Sequence, residues 1–385
     1  MGSTLRIVAD ENIPLVAEAF RDLGEVHVLP GRTVSPADLT EADVLLVRSV
    51  TQVNAALLSD TPVRFVGTAT SGTDHIDTSL LESRNIGFGH AMGCNAVSVA
   101  EYVTTALVEW ATKCGRDLQT CSLGIVGFGH VGQAVSIQAR ALGMDVLVND
   151  PPRERGTAEL IYRPLEDLLE CDVVTLHVPL LRTGLDPTFH LANDFFFASL
   201  KDGACFINTS RGEVVDSEAL KSALRAGRLS GCMLDVWEDE PCPDADLVAL
   251  ADVATPHIAG YALDGKVRGT QMIHDALCRY CDRLHHWDPA PLLPSPVKSR
   301  LYVASNDAQA VAGCVRAAYD IMTDDRRLRG TMTLSPDERG IEFDRQRREY
   351  PARREFNALT VEIVGKDAML SKRLEGLGFR VAMNP

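Results

Sequence analysis

Little in this chain suits a membrane span, a secreted scaffold or a nucleic-acid surface. No apolar run in its 385 residues reaches the roughly 20 residues that a membrane-spanning helix needs. The amino-terminal stretch, MGSTLRIVADENIP, has no long apolar core and does not read as a secretory signal. Aromatic residues make up only 6% of the chain, so the expected cores are mainly aliphatic. Basic residues are outnumbered, giving a formal net charge of −15. That balance disfavours non-specific binding to nucleic acid or acidic membranes, and an anionic substrate would need a local basic pocket. The ten cysteines are scattered, several inside apolar runs (Cys171, Cys205, Cys232), as expected of reduced thiols in a cytoplasmic protein. Cys278-x-x-Cys281 has redox-motif spacing but falls in a helical pattern with no second pair, so it reads as helix surface and no metal is expected.

The composition that remains, 45% hydrophobic and 24% charged, is that of a globular protein with room for two or three domains. Its most informative stretch is Ser122 to Asp150. An apolar run leads into Gly127-Phe128-Gly129-His130-Val131-Gly132. Apolar residues then recur at helical spacing, and a second apolar run ends at Asp150. Strand, glycine turn, helix, strand and terminal acid together make a dinucleotide-binding fingerprint. The glycines let the backbone approach a pyrophosphate, which meets the free N–H groups of a helix start. Asp150 would accept the ribose hydroxyls and repel a 2′-phosphate, which favours NAD over NADP; Arg153 nearby weakens that preference.

Strand and helix patterns alternate through the chain. Before the fingerprint, strands are expected at Leu5–Ala9, Val26–Leu29, Val44–Val47 and Phe65–Gly67, with a helix over Ile13–Leu23. Ala96–Cys114 reads as a long helix. Six further strand candidates, Gly124–Val126, Val146–Val148, Val173–Leu176, Ala204–Asn208, Cys232–Asp235 and Val253–Thr255, make a doubly wound parallel sheet. Gly260 to His286 returns to helix, and Trp287 to Val297, with four prolines, reads as a linker. The remainder has its own α/β pattern: strands at Leu301–Ala304, Leu359–Val364 and Phe379–Ala382, and helices over Asn306–Met322 and Lys366–Gly376. The expected architecture is therefore α/β throughout. Residues 99–258 form the doubly wound dinucleotide-binding domain, and residues 1–98 with 259–286 a discontinuous, flavodoxin-like substrate domain. Residues 287–385 form a small C-terminal α/β domain.

Ligands of such sheets bind beyond the carboxyl ends of the strands. Three polar signatures sit there: Thr209-Ser210-Arg211-Gly212, Trp237-Glu238-Asp239-Glu240-Pro241 and Pro256-His257-Ile258-Ala259-Gly260. Taken singly, an arginine, an acid and a histidine in loops are ordinary. Taken together at one ligand edge, they form an acid–base histidine, a carboxylate partner and a guanidinium for a substrate carboxylate.

GFGHVG, HVPL (177–180), INTSRGEVVD (207–216), LDVWEDEP (234–241) and TPHIAG (255–260) resemble the D-isomer-specific 2-hydroxyacid dehydrogenases. The resemblance implies an NAD-dependent oxidoreductase with Arg211, Glu240 and His257 as the catalytic set. It implies a cofactor site of Gly127, Gly129, His130, Val131, Gly132, Asp150, Val178, Thr209, Ser210, Arg211, Asp235 and Gly260. Val178 departs from the pattern, which has threonine there. A narrower likeness rests on VADENIP, VRSVTQVN, VGTATSGTDHID, GCNAVSVAEYV, NDPPR, HIAGYALDGKVRGT and the C-terminal domain. It implies a branch acting on a phosphorylated four-carbon 2-hydroxy acid on the way to pyridoxal phosphate. It further implies substrate contacts from Ser49, Thr70 and Tyr261, and a homodimer joined through the C-terminal domain. Reoxidation of bound cofactor by a 2-oxo acid is also in keeping with it. For the phosphate, Arg48 and a C-terminal arginine such as Arg348 of the partner subunit are candidates, with Lys266 and Arg268 in the returning helix. Two alternatives stay open on sequence alone: another family enzyme, such as a 3-phosphoglycerate dehydrogenase, and an NAD-sensing interaction protein. The Phe195-Phe196-Phe197 run reads as core helix.

Overall fold

The computed structural model describes residues 4–157, 161–303, 308–365 and 367–384. Ala304, Asn306 and Lys366, placed at element ends by the sequence, lie outside them. The chain divides into two compact units, Met1–Asn95 with Ala262–Pro294, and Ala96–Tyr261 with Ser295–Pro385.

The first unit is built on five parallel strands: β1 (Leu5–Asp10), β2 (Gly24–Leu29), β3 (Val44–Val47), β4 (Phe65–Thr68) and β5 (Gly87–His90). Their order, β2-β1-β3-β4-β5, is that of flavodoxin-like sheets. β3 and β4 are buried along their whole length, which explains their uninterrupted apolar sequence. The helix expected over Ile13–Leu23 shrinks to Val16–Phe20, because Pro14 precedes Leu15 and Leu15 takes a left-handed φ of 56°. β5 is a strand that the sequence reading did not include; its GFGH composition has weak strand propensity. The returning helix Leu263–Tyr280 packs Val267, Ile273 and Leu277 into this unit's core beside Ile7, Leu46 and Phe65.

The second unit carries six parallel strands: β6 (Ser122–Val126), β7 (Asp145–Asn149), β8 (Val173–Leu176), β9 (Ala204–Asn208), β10 (Leu229–Leu234) and β11 (Val253–Ala254). The order β11-β10-β9-β8-β6-β7 is doubly wound. The long helix Ala96–Cys114 buries Val99, Tyr102, Val103, Leu107 and Trp110 in the core of this sheet. Of the phenylalanine run, Phe196 and Phe197 pack edge-on against Phe206, as a core helix requires. Phe195 does not: it is 76% exposed on the opposite face of the short helix Asp194–Ser199.

The C-terminal segment adds a three-stranded parallel sheet, β12 (Arg300–Val303), β13 (Thr360–Val364) and β14 (Arg380–Asn384), with β13 central. Val361, Ile363 and Phe379 share one apolar cluster with Val103, Trp110 and Ile125 of the dinucleotide-binding part. The helix expected over Asn306–Met322 is two helices, Ala308–Ala318 and Ile321–Arg329. Asp320 breaks it by capping the second through the amide of Thr323. A further helix, Pro336–Arg348, opens on a Ser335–Glu338 capping box. No described helix is long and apolar enough to cross a membrane.

Candidate active site

The glycine turn joins β6 to the helix His130–Ala141. Gly127 has φ +93°, and a Cβ there would lie 2.6 Å from the carbonyl oxygen of His177. A Cβ on Gly132 would lie 2.2 Å from the Gly127 carbonyl. Side chains are thus excluded beneath the turn, while nothing lies within 4 Å of the Cβ position of Gly129. This is an open backbone cradle at a helix start, suited to a pyrophosphate. His130 is exposed at the first helical position and Val131 half-buried. Asp150 follows β7 and accepts the amide of Phe128 at 2.8 Å and that of Arg153 at 3.1 Å. Each carboxylate oxygen keeps acceptor capacity for ribose hydroxyls. The residues therefore fit a dinucleotide.

The next strand ends add polar groups in register. His177 follows β8, with Thr175 Oγ1 3.0 Å from its Nε2 and Thr209 Oγ1 3.2 Å from its Nδ1. Burial pushes its pKa down to about 3, so the ring is neutral at working pH. The folded value lies below the unfolded one of about 6.5, so the folded state binds fewer protons between the two. Stability is therefore expected to fall as pH drops through that window. Urea unfolding of His177→Gln across pH 7 to 4 should show a slope shallower by one proton; an unchanged slope would refute the assignment. Val178 lies against Gly127, its Cγ1 2.9 Å from the Cβ position of that glycine.

After β9, the Asn208 side chain shapes the Thr209-Ser210-Arg211 turn. Its Oδ1 accepts the amide and hydroxyl of Ser210 at 3.0 and 2.7 Å, and its Nδ2 donates to the Arg211 carbonyl at 3.0 Å. The half-buried Arg211 guanidinium donates through Nη1 to the Ser210 carbonyl at 2.8 Å. After β10, the buried Asp235 carboxylate accepts Thr255 Oγ1 at 2.6 Å and the amides of Ile258 and Ala259, each at 2.8 Å. The His257 amide donates to the Asp235 carbonyl at 2.7 Å. This lattice holds His257 in a left-handed conformation, φ 56°, which costs a non-glycine residue about 1–2 kcal/mol. Gly260 follows, half-buried.

His257 Nδ1 lies 2.8 Å from Glu240 Oε2, and Glu240 Oε1 accepts the Trp237 amide at 3.0 Å. Burial pushes the Glu240 carboxyl up. The His257 imidazole, the Arg347 guanidinium and the Trp237 amide outweigh it and hold the carboxyl below its ordinary range. The imidazole is thus fixed by an ionised partner, with Nε2 left for the chemistry. β9, β10 and β11 are neighbours, so Arg211, Glu240 and His257 come from three adjacent loops on one sheet edge.

Arg347 was missed. The sequence places it in an arginine-rich stretch, yet its guanidinium lies 5.7 Å from the Tyr261 ring and faces Glu240. Phe343, buried one turn earlier on the same helix, was the available signal, since residues four apart share a helix face. Arg353 was missed as well: buried, it donates to the carbonyls of Ala259 at 2.7 Å and Ser98 at 3.2 Å. Arg348, the stated phosphate candidate, is exposed and pairs with Glu349 at 3.3 Å.

Arg48, Ser49 and Thr70 belong to the first unit and stand at its own carboxyl edge, just after β3 and β4. Arg48 is half-buried and donates to the Asn12 carbonyl at 3.0 Å; Ser49 is exposed. Thr70 Oγ1 donates to the Gly72 carbonyl at 2.8 Å. In the returning helix, Arg268 donates to the Cys94 carbonyl at 2.5 Å, and Lys266 is half-buried.

Residues 96–259 match the NAD-binding domain of the D-isomer-specific 2-hydroxyacid dehydrogenases. An erythronate-4-phosphate dehydrogenase of Marinobacter nauticus is 46% identical over 97% of this chain and 99% of its own. The chain belongs to the erythronate-4-phosphate dehydrogenase branch of that family. The corresponding enzyme of Salinibacter ruber is 47% identical over 93% of this dehydrogenase and 94% of its own length. Among solved structures, a Thermus thermophilus protein is 30% identical, covering 72% of this chain and 98% of its own, with a TM-score of 0.61. A D-lactate dehydrogenase of Aquifex aeolicus, solved with NAD and lactic acid, is 27% identical, covering 72% and 95%, with a TM-score of 0.58. Residues 292–378 match a family model described only as a domain of unknown function. The chain is an NAD-dependent dehydrogenase.

Proposed function

We propose that this dehydrogenase oxidises 4-phospho-D-erythronate at C2 to 2-oxo-3-hydroxy-4-phosphobutanoate, a step toward pyridoxal phosphate. The reading is carried by the His257–Glu240 pair at the sheet's ligand edge, in a chain similar along almost its whole length to enzymes named for that substrate. Gly127, Gly129, His130, Val131 and Gly132 would cradle the NAD pyrophosphate and Asp150 the ribose. Val178, Thr209, Ser210, Arg211, Asp235 and Gly260 would line the rest of the cofactor site. When bound, the nicotinamide supplies the hydride acceptor. His257 Nε2 takes the C2 hydroxyl proton as the C–H bond breaks, and Glu240 stabilises the imidazolium so formed. Arg211 grips the substrate carboxylate in two-pronged fashion and polarises the forming carbonyl.

Ser49, Thr70 and Tyr261 would contact the substrate in this proposal, and Arg48 would contribute to phosphate binding. Residues 287–385 would join two chains into a homodimer, and a 2-oxo acid would reoxidise the cofactor. The test is turnover of 4-phosphoerythronate with and without 2-oxoglutarate, at varied NAD. Multiple turnovers are expected, with the acceptor dependence showing whether NAD is recycled in place. Folded, NAD-competent protein that reduces no NAD would overturn the substrate assignment. In the same assay Arg48→Ala should raise KM for the phosphorylated substrate by about tenfold, the order of one charge-assisted contact. An unchanged KM would remove Arg48 from the pocket.

A further inference from the structure

The far end of the returning helix carries a cluster with no part in this chemistry. His274 and Cys278 are four residues apart on Leu263–Tyr280 and share its inward face. Both are buried, so the Cys278-x-x-Cys281 pair is not the helix surface expected from sequence; only Cys281 is half-buried. Beyond the helix the chain turns back and presents His285 to the same point. His285 Nδ1 lies 2.9 Å from His274 Nε2, and Cys278 Sγ lies 3.7 Å from that same His274 nitrogen. The three ligand atoms all fall within 4.8 Å of one another.

The outer ring nitrogens carry the second observation. His274 Nδ1 is 3.0 Å from Asp275 Oδ1, and His285 Nε2 is 3.4 Å from Asp22 Oδ2. A carboxylate thus stands behind each imidazole, hydrogen-bonded to His274 and within ion-pair reach of His285, which favours a basic inner nitrogen, the arrangement found behind metal-ligating histidines. Phe20 and Trp287 wall the group, their rings 5.5 and 6.3 Å from that of His274. Tetrahedral zinc, with bonds of about 2.0 Å to nitrogen and 2.3 Å to sulfur, holds its ligands roughly 3.3 to 3.5 Å apart. The observed 2.9 and 3.7 Å bracket those separations. A thiol and two imidazoles, with no carboxylate oxygen grouped with them among the described residues, select a thiophilic ion over calcium or magnesium.

We propose that His274, Cys278 and His285 form a site for zinc or a similar thiophilic divalent cation, with a fourth position for water. The ion clips the segment after Tyr280 onto the helix and, through Asp22, onto the turn after the helix Val16–Phe20. The test is a cobalt(II) titration of chelator-treated full-length protein. Expected are a thiolate-to-cobalt absorption in the near ultraviolet and tetrahedral visible bands, both saturating at one cobalt per chain and displaced by zinc. Zinc at a hundredfold excess over its Kd should raise the melting temperature by on the order of 5 °C. Cys278→Ser should abolish the thiolate band, and Cys281→Ser should keep it. Wild-type protein with no such band, or a band that survives Cys278→Ser, would overturn the proposal. Should Cys278→Ser not fold, His285→Ala decides. It is expected to weaken cobalt binding by about a hundredfold, and undiminished binding there also overturns the site.

Discussion

His257→Ala is expected to lower kcat by about a hundredfold to ten-thousandfold while NAD affinity stays at the wild-type value, the range for loss of a general acid–base group. The expectation rests on how His257 is held. Its Nδ1 is committed to Glu240 at 2.8 Å, and its backbone is fixed by the Asp235 carbonyl at 2.7 Å, a bond that the side chain does not make. Truncation should therefore remove the base without moving the strand end. The left-handed φ of 56° at this position strains alanine more than asparagine, which visits that region readily. His257→Asn is thus the companion variant: equally inactive, but closer to wild type in stability. Steady-state turnover and NAD fluorescence titration of both variants check the point. Wild-type kcat in either would exclude His257 as the base.

Arg211→Lys comes next, with kcat/KM expected to fall by about 10²- to 10³-fold, or roughly 3–4 kcal/mol. Charge is preserved, so a modest loss would follow if charge were all that mattered. The guanidinium already spends one donor on the Ser210 carbonyl at 2.8 Å, which orients the fork. Lysine has no planar fork to share between that carbonyl and a carboxylate. The turn should survive, because Asn208 holds it through backbone groups of Ser210 and Arg211. Kinetics with varied substrate, alongside an NAD affinity measurement, separate the two effects. Near-normal kcat/KM would take Arg211 out of the substrate site.

The dinucleotide-binding part was the most legible region. Its strands are short apolar runs buried on both faces, and its loops break at glycine or polar residues, so strand ends and ligand edge could be placed together. Arg211, Glu240 and His257 were visible for that reason. The way they are held was not. Asn208 sits at a strand end where any small polar residue reads alike, and Asp235 was named for the cofactor site but not as the group that fixes the His257 loop; the amides around them reveal those roles. The helix Pro336–Arg348 escaped because it has almost no apolar face. Phe343 is its only buried residue, and exposed Arg345 pairs locally with Glu342 and with Glu349 just past the helix end. Cys278 was misplaced on the surface because periodicity alone did not show that the chain would double back over it.

The sheet order leaves β11, only two residues long, at one margin. Its Ala254 amide does not point into solvent but donates to Asp325 Oδ1 at 2.8 Å, from the helix Ile321–Arg329. Arg329 on the same helix donates to the carbonyls of Val248 and Ala251, each at 2.6 Å. The solved relatives described above correspond to 72% of this chain, so about a quarter of it lies outside the shared fold. The helix Ile321–Arg329 thus occupies the margin at which another polypeptide could otherwise continue the ladder, and gives the large sheet a covered edge at β11.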